Sequence, residues 1–198
     1  MTETKLLLKE LDSVLRKYNM SEYLKLQPPL SDEEIDKYFE EFGIADEDLK
    51  ALFQWKNGEQ VESYCQLMDN GGIQSLQEIK NYLSFDKPYD SDLLEIISDN
   101  GEEALLFNKR KGPHYGKLYF YSVPCLYIEH PISYFDSINA MLQTTIEAYK
   151  EGVYQYDSEE RWLNIDLKKF AVIAKKINPN SRYWIKHNPL LNEEWYEI

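Results

Sequence analysis

The chain is poor in the residues that most often carry chemistry. Among 198 residues there are two cysteines and three histidines. Two cysteines cannot build a disulfide framework, and their spacing is no zinc pattern. His114, His130 and His187 are scattered, and none belongs to a His-x-x-x-His pair. No apolar run approaches the ~20 residues of a membrane helix. The opening Met1-Thr-Glu-Thr-Lys-Leu-Leu-Leu-Lys-Glu-Leu holds a short leucine run and then charge, unlike a secretory leader. These absences predict a reduced, soluble, cytoplasmic protein without a membrane partner. Phosphate-loop, dinucleotide-fold and Gly-x-Ser-x-Gly signatures are also missing.

Bases are scarce as well. Lysine and arginine number 22 against 35 aspartates and glutamates, a formal charge of −13. The imbalance is uneven: residues 1–99 carry 22 acids and 10 bases, whereas 100–198 carry 13 and 12. Residues 31–103 hold 20 acids and 5 bases. Such a chain repels nucleic acid, so no direct nucleic-acid partner is expected. The same charge suits either of two roles, attraction of a basic protein partner or simply the solubility of an acidic surface. A segment at 161–186 reverses the trend, with seven bases and one acid.

What is abundant is aromatic: 16 tyrosines, 8 phenylalanines and 4 tryptophans. That composition excludes disorder and suits a packed core. Leu7, Leu8, Leu11, Val14, Leu15 and Tyr18 fall on one stripe and predict a helix over 4–19. Gln27-Pro28-Pro29 breaks it. Ser31-Asp-Glu-Glu34 reads as a capping box opening a helix that Gly43 ends. A third helix is expected over 46–55, stopped by Asn57-Gly58, and Ser75-Leu-Gln-Glu78 is a second capping box. Strands are expected at Ser63–Met68, Leu93–Ile97, Ala104–Phe107, Lys117–Tyr121 and Cys125–Ile128. Tyr119 and Tyr121 should share one face of theirs. Helix is expected again over Ser133–Lys150. It should return in a cap at 157–198 whose stripe is Leu163, Leu167, Phe170, Ile173, Ala174 and Ile177. Helices at both ends of a run of short strands make an α+β fold.

No constellation survives a search for catalysis, because no nucleophile, base and orienter can be placed together. Cys65 and Cys125 read as buried thiols in strands. The acids at 32–36 and 46–48 read as helix-start electrostatics rather than a metal site. Lys109-Arg110-Lys111 reads as a solvated turn. No cofactor, metal or catalytic residue is expected, and a binding role is left.

The order of motifs resembles a known family. Ser31-Asp-Glu-Glu-Ile35 and Glu40-Glu-Phe-Gly43 come first, then Leu52-Phe-Gln-Trp55-Lys-Asn57-Gly58. Ile73-Gln-Ser-Leu76-Gln-Glu-Ile79 follows, then Leu94-Glu-Ile-Ile-Ser-Asp99-Asn-Gly101-Glu-Glu103, a tyrosine-rich strand, and Ser133-Tyr-Phe-Asp-Ser-Ile138. This run, over roughly residues 27–150, resembles the SUKH superfamily, the Smi/Knr-type domain. It departs in lacking a proline before Asp46. The resemblance implies a central, mostly antiparallel sheet of about four to six short strands packed by terminal helices. The domain would span 1–152, with a helical extension over 153–198 packed on it. It implies that Trp55, Asn57, Gly58, Asp99 and Gly101 set turns and core.

It further implies a non-enzymatic immunity protein that binds and neutralises a cognate bacterial toxin domain, often a nuclease and itself basic. The alternative is a Smi/Knr-type adaptor with several protein partners. On the immunity reading, the surface acids Asp32, Glu33, Asp36, Glu40, Glu59, Glu62 and Asp90 form the contact face. An enzyme would need a cluster of perturbed titratable groups in one pocket; a small or purely apolar and tyrosine-lined pocket would count against it.

Overall fold

The structure is a computed structural model, which describes residues 2–60, 65–85, 87, 89–99, 103–122 and 131–186. Its front third is helical. α1 (Glu3–Tyr18) is capped by the Thr2 hydroxyl and buries Leu8, Leu11, Val14 and Leu15 on one stripe. A short turn, α2 (Met20–Tyr23), leads through the Pro28-Pro29 segment to α3 (Asp32–Phe42). Ser31 and Glu34 close the expected capping box there, and Gly43 ends the helix in a left-handed conformation. Each such cap contributes about 1 kcal/mol. α4 (Glu47–Trp55) starts where the Asp46 carboxylate accepts from the Leu49 amide.

A five-stranded antiparallel sheet follows in sequential order: β1 (Gly72–Ile73), β2 (Leu93–Ser98), β3 (Glu103–Asn108), β4 (Leu118–Ser122) and β5 (Ile132–Phe135). α5 (Leu76–Leu83) sits between β1 and β2, opened by the second capping box at Ser75 and Glu78. Leu94, Phe107, Leu105, Leu118, Phe120 and Ile132 meet across adjacent strands and join the main core. Tyr119 and Tyr121 stand half-buried on the other face, as alternation requires. α6 (Ile138–Lys150) packs along α1. The hairpin β6 (Tyr154–Asp157) and β7 (Trp162–Ile165) forms a second small sheet. α7 (Leu167–Ile177) and α8 (Arg182–Lys186) complete the described chain. The α+β architecture with a central antiparallel sheet is therefore as expected. One buried cluster runs from Leu8 to Trp184 and joins the C-terminal elements to the rest.

Four readings need correction or fall outside the described residues. Residues 65–68 form no strand: the Leu67 and Met68 amides bond the Gly71 carbonyl, and the Gln66 amide bonds the Glu22 carboxylate. Their hydrogen bonds close a turn and a side-chain contact instead of a ladder. Cys65 is thus buried in a loop. Ser133–Phe135 is strand, not helix, because these residues pair with β4; Ser137, four residues later, caps α6. The region 154–165 is a hairpin, and Leu163 belongs to β7, buried while its neighbour Trp162 is exposed. The strand expected at Cys125–Ile128 lies outside the described residues, as do Glu62 and Gly101.

α8 covers the open side of β5. The Ser181 hydroxyl donates to the Ser133 carbonyl (2.6 Å), and the Trp184 indole donates to the Tyr134 carbonyl (2.7 Å). Tyr134, Tyr183, Trp184 and Phe170 cluster around that contact in tilted and edge-to-face pairs, with ring centroids 4.7–5.6 Å apart.

Candidate acidic interface

The helical repeat places Asp32, Asp36 and Glu40 four residues apart on one row of α3, with Glu33 on the adjoining row. All four point to solvent because Ile35, Phe39 and Phe42 take the opposite side into the core. Glu47, in the first turn of α4, is also exposed. The row is partly compensated. Asp36 pairs with Lys50, Asp32 accepts from the Gln54 amide (2.6 Å), and the neighbouring Glu41 pairs with Lys80 at 2.7 Å. Glu33, Glu40 and Glu47 make no ion pair among the described residues. Glu34 is spoken for: the Ser31 backbone and hydroxyl donate to its carboxylate and hold it below the usual carboxylate range.

Two of the expected contact acids are placed elsewhere. Asp90 lies at the foot of β2, where Arg110 pairs with both Asp90 and Asp92. The Asp92 amide and then Arg110 lower its proton affinity. The basic loop is exposed over 110–114, as expected of a solvated turn, yet two of its bases are also engaged: Lys109 donates to the Phe42 carbonyl at 2.9 Å and Arg110 pairs with Asp90 and Asp92, while Lys111 makes no ion pair among the described residues. Glu59 is not a surface acid at all. It is 4% exposed, because its backbone is pinned between a bridge to Leu26 and the Ile73 carbonyl. One of its carboxylate oxygens finds no partner among the described residues. Burial, then the nearby Glu78 and Glu22 charges, push its pKa up to about 8 against the relief offered by Lys25.

Beside Glu59 lies a buried polar network that no sequence signal announces. The Glu22 carboxylate, on α2, accepts from Lys25 (2.7 Å), the Tyr156 hydroxyl (2.6 Å) and the Gln66 amide (2.9 Å). Gln66 in turn accepts from the Leu163 amide (2.7 Å), and Asn19 donates to the Gln66 carbonyl and to Tyr149. This network ties α2 to the β6–β7 hairpin. Cys65 abuts it, and burial drives its thiol pKa far upward, leaving an inert thiol.

The turn-setting positions act as fasteners. Trp55 donates to Asp12 of α1 (3.2 Å), and Asn57 accepts the first amide of α5 from Leu76 (3.2 Å). Gly58 has φ +76°, and a Cβ there would stand 2.3 Å from the Ser75 amide nitrogen. Asp99 accepts from the Glu103 amide (2.6 Å) across the β2–β3 turn.

A groove of about 930 Å³ lies between α1, α6 and α7, and no residue of α3 lines it. It is neither small nor purely apolar, since glutamates and lysines line it. Its shape therefore does not separate binding from catalysis. Among the described residues no group of three or more histidines, cysteines or acids is placed to hold a metal, and no helix is long and apolar enough to cross a membrane. The sequence matches no protein-family model, and a search of curated proteins finds none similar to it.

Proposed function

We propose that this chain is a non-enzymatic protein-binding domain of the immunity type, which neutralises a basic toxin domain, such as a nuclease, in the cytoplasm. The carrying observation is the exposed acidic side of α3, where Glu33 and Glu40 make no ion pair among the described residues, in the window where acids outnumber bases 20 to 5. The motif order that resembles the SUKH superfamily supports the same reading. A rigid helix that presents Asp32, Asp36 and Glu40 about 6 Å apart along its axis, four residues at 1.5 Å each, offers a regular row of negative charge to basic side chains. The protein partner would be steered to it by the field of the whole acidic half.

Affinity capture at low and at high salt tests the reading. The expected result is one stoichiometric partner with a basic, toxin-like domain, released by salt; several weak partners of other kinds would favour the adaptor. On that partner, charge reversal of Glu33, Glu40 and Glu47 to lysine should slow association about tenfold at low salt and flatten its salt dependence. Unchanged association kinetics would overturn the acidic-face reading.

A further inference from the structure

The groove between α1, α6 and α7 has the features of a seat for one more helix. α1 and α7 each pack on α6, and the groove opens between them over α6. It runs the whole length of α7, touched by the rows Lys168–Val172–Lys176 and Lys169–Ile173–Ile177. That length is about 16 Å, three turns of a docked helix. The opposite side of α7, through Phe170, Ala171 and Ala174, is already committed to the core. Its groove side is nevertheless apolar in the middle: Val172 is 64% exposed and Ile173 half-buried, facing Leu7 of α1 and Ile146 of α6.

The charges on the two rims differ in sign. Lys168 and Lys176 edge the α7 side and make no ion pair among the described residues. Lys169 is held by Asp166 at 3.2 Å. The α1–α6 side carries Glu10, Glu147 and Glu151; Lys150 pairs with the first two, and Glu151 has no ion pair among the described residues. An apolar floor between a basic and an acidic rim selects an amphipathic helix with acids along one flank and bases along the other.

We infer that this groove binds such a helix from a partner protein, with its acidic flank against α7 and its basic flank against α1 and α6. The surface is separate from the α3 row, so it serves either as a second contact with the same partner or as the site of another. The seated helix would complete a four-helix arrangement by ridges-into-grooves packing.

The test uses the full chain and a fluorescently labelled synthetic peptide of about 18 residues, some 27 Å of helix. The peptide has a leucine face, glutamates on one flank and lysines on the other. Two control peptides carry glutamates, or lysines, on both flanks. The expected result is saturable one-to-one binding, tightest for the mixed-flank peptide. V172D should weaken it about tenfold or more, and exposure of Val172 keeps that variant folded. The pair K168E and K176E should reverse the preference toward the peptide with lysines on both flanks. Binding that V172D leaves intact, or absence of saturable binding, would overturn the proposal. So would concentration-dependent dimerisation abolished by V172D, which would make a second copy the occupant. The K-for-E changes on α3 and α4 should leave peptide binding unaltered, so failure here is distinct from failure of the acidic-face reading.

Discussion

Replacing Glu59 with glutamine is expected to flatten the dependence of stability on pH between about 5 and 8. Glu59 has a folded pKa of about 8 against a usual value of 4.5. At pH 4 the group is neutral in both states and contributes nothing to the balance. As pH rises past 4.5, the unfolded chain releases the proton while the folded one retains it, so stability falls. Above about 8 the folded form must hold a buried charge and the full penalty stands. At about 1.4 kcal/mol per unit, a shift from 4.5 to about 8 sets an upper bound of roughly 5 kcal/mol on that penalty, and the solvent that still reaches the site brings it below this. Glutamine keeps the shape and an acceptor for the Cys65 amide, with no charge to bury. Urea melts at pH 4, 7 and 9 should show equal stability at the lowest pH and a variant more stable by roughly 2–4 kcal/mol at the highest. Asp69 contributes a similar decline at lower pH, since burial lifts its pKa to about 6; the window from 6 to 8 isolates Glu59. Parallel pH profiles for the two proteins would show that the carboxyl ionises freely in the fold.

A second large effect is expected at Glu22, for the opposite reason. Its carboxylate is 1% exposed yet has three donor groups around it. Glu22→Ala removes the carboxylate that accepts from the Gln66 amide, the Tyr156 hydroxyl and the Lys25 ammonium. Removing one partner of a buried pair costs about 3–5 kcal/mol. For a domain of this size that is a drop of roughly 10 °C in Tm. Tyr156→Phe removes a single bond and should cost about 1–1.5 kcal/mol. Calorimetry on the two variants checks the order. If Glu22→Ala costs no more than Tyr156→Phe, water replaces the network and the carboxylate is not structurally required.

The contrast between these two acids explains how much the sequence disclosed. Features written in a local code were legible. Ser31-x-x-Glu34 and Ser75-x-x-Glu78 form capping boxes because the reciprocal bonds need only three-residue spacing, and Gly43 closes α3 because only a left-handed residue fits there. The α3 acids were legible as an exposed row for the same reason: helical period alone sorts Asp32, Asp36 and Glu40 from Ile35 and Phe39. Features settled by distant partners were not. Nothing near Glu59 or Glu22 reveals that one is buried without a full set of bonds and the other with one. The β6–β7 turn is built with Arg161 at φ 55°, so no glycine marks it, and Leu163 and Leu167 share a helical spacing by coincidence. At Ser133–Phe135 the helical pattern is real, but pairing with β4 on one side and α8 on the other overrides it.

The pairing of α1 with α6 has a consequence for synthesis. α2 and α4 cover part of α1 early, but Gln143 bonds Glu3 and Lys150 pairs with Glu10, so the part that α6 covers is supplied by residues more than a hundred positions later. At a translation rate of about 5–20 residues per second, α1 leaves the ribosome on the order of ten seconds before its partner exists. During that interval the part of α1 that faces α6 is open to whatever else is nearby. A nascent chain of this kind cannot lock its fold segment by segment. It matures in one late step, and ribosome-bound chains stalled before α6 should be bound by hydrophobic-surface chaperones where chains stalled well beyond α7 are not.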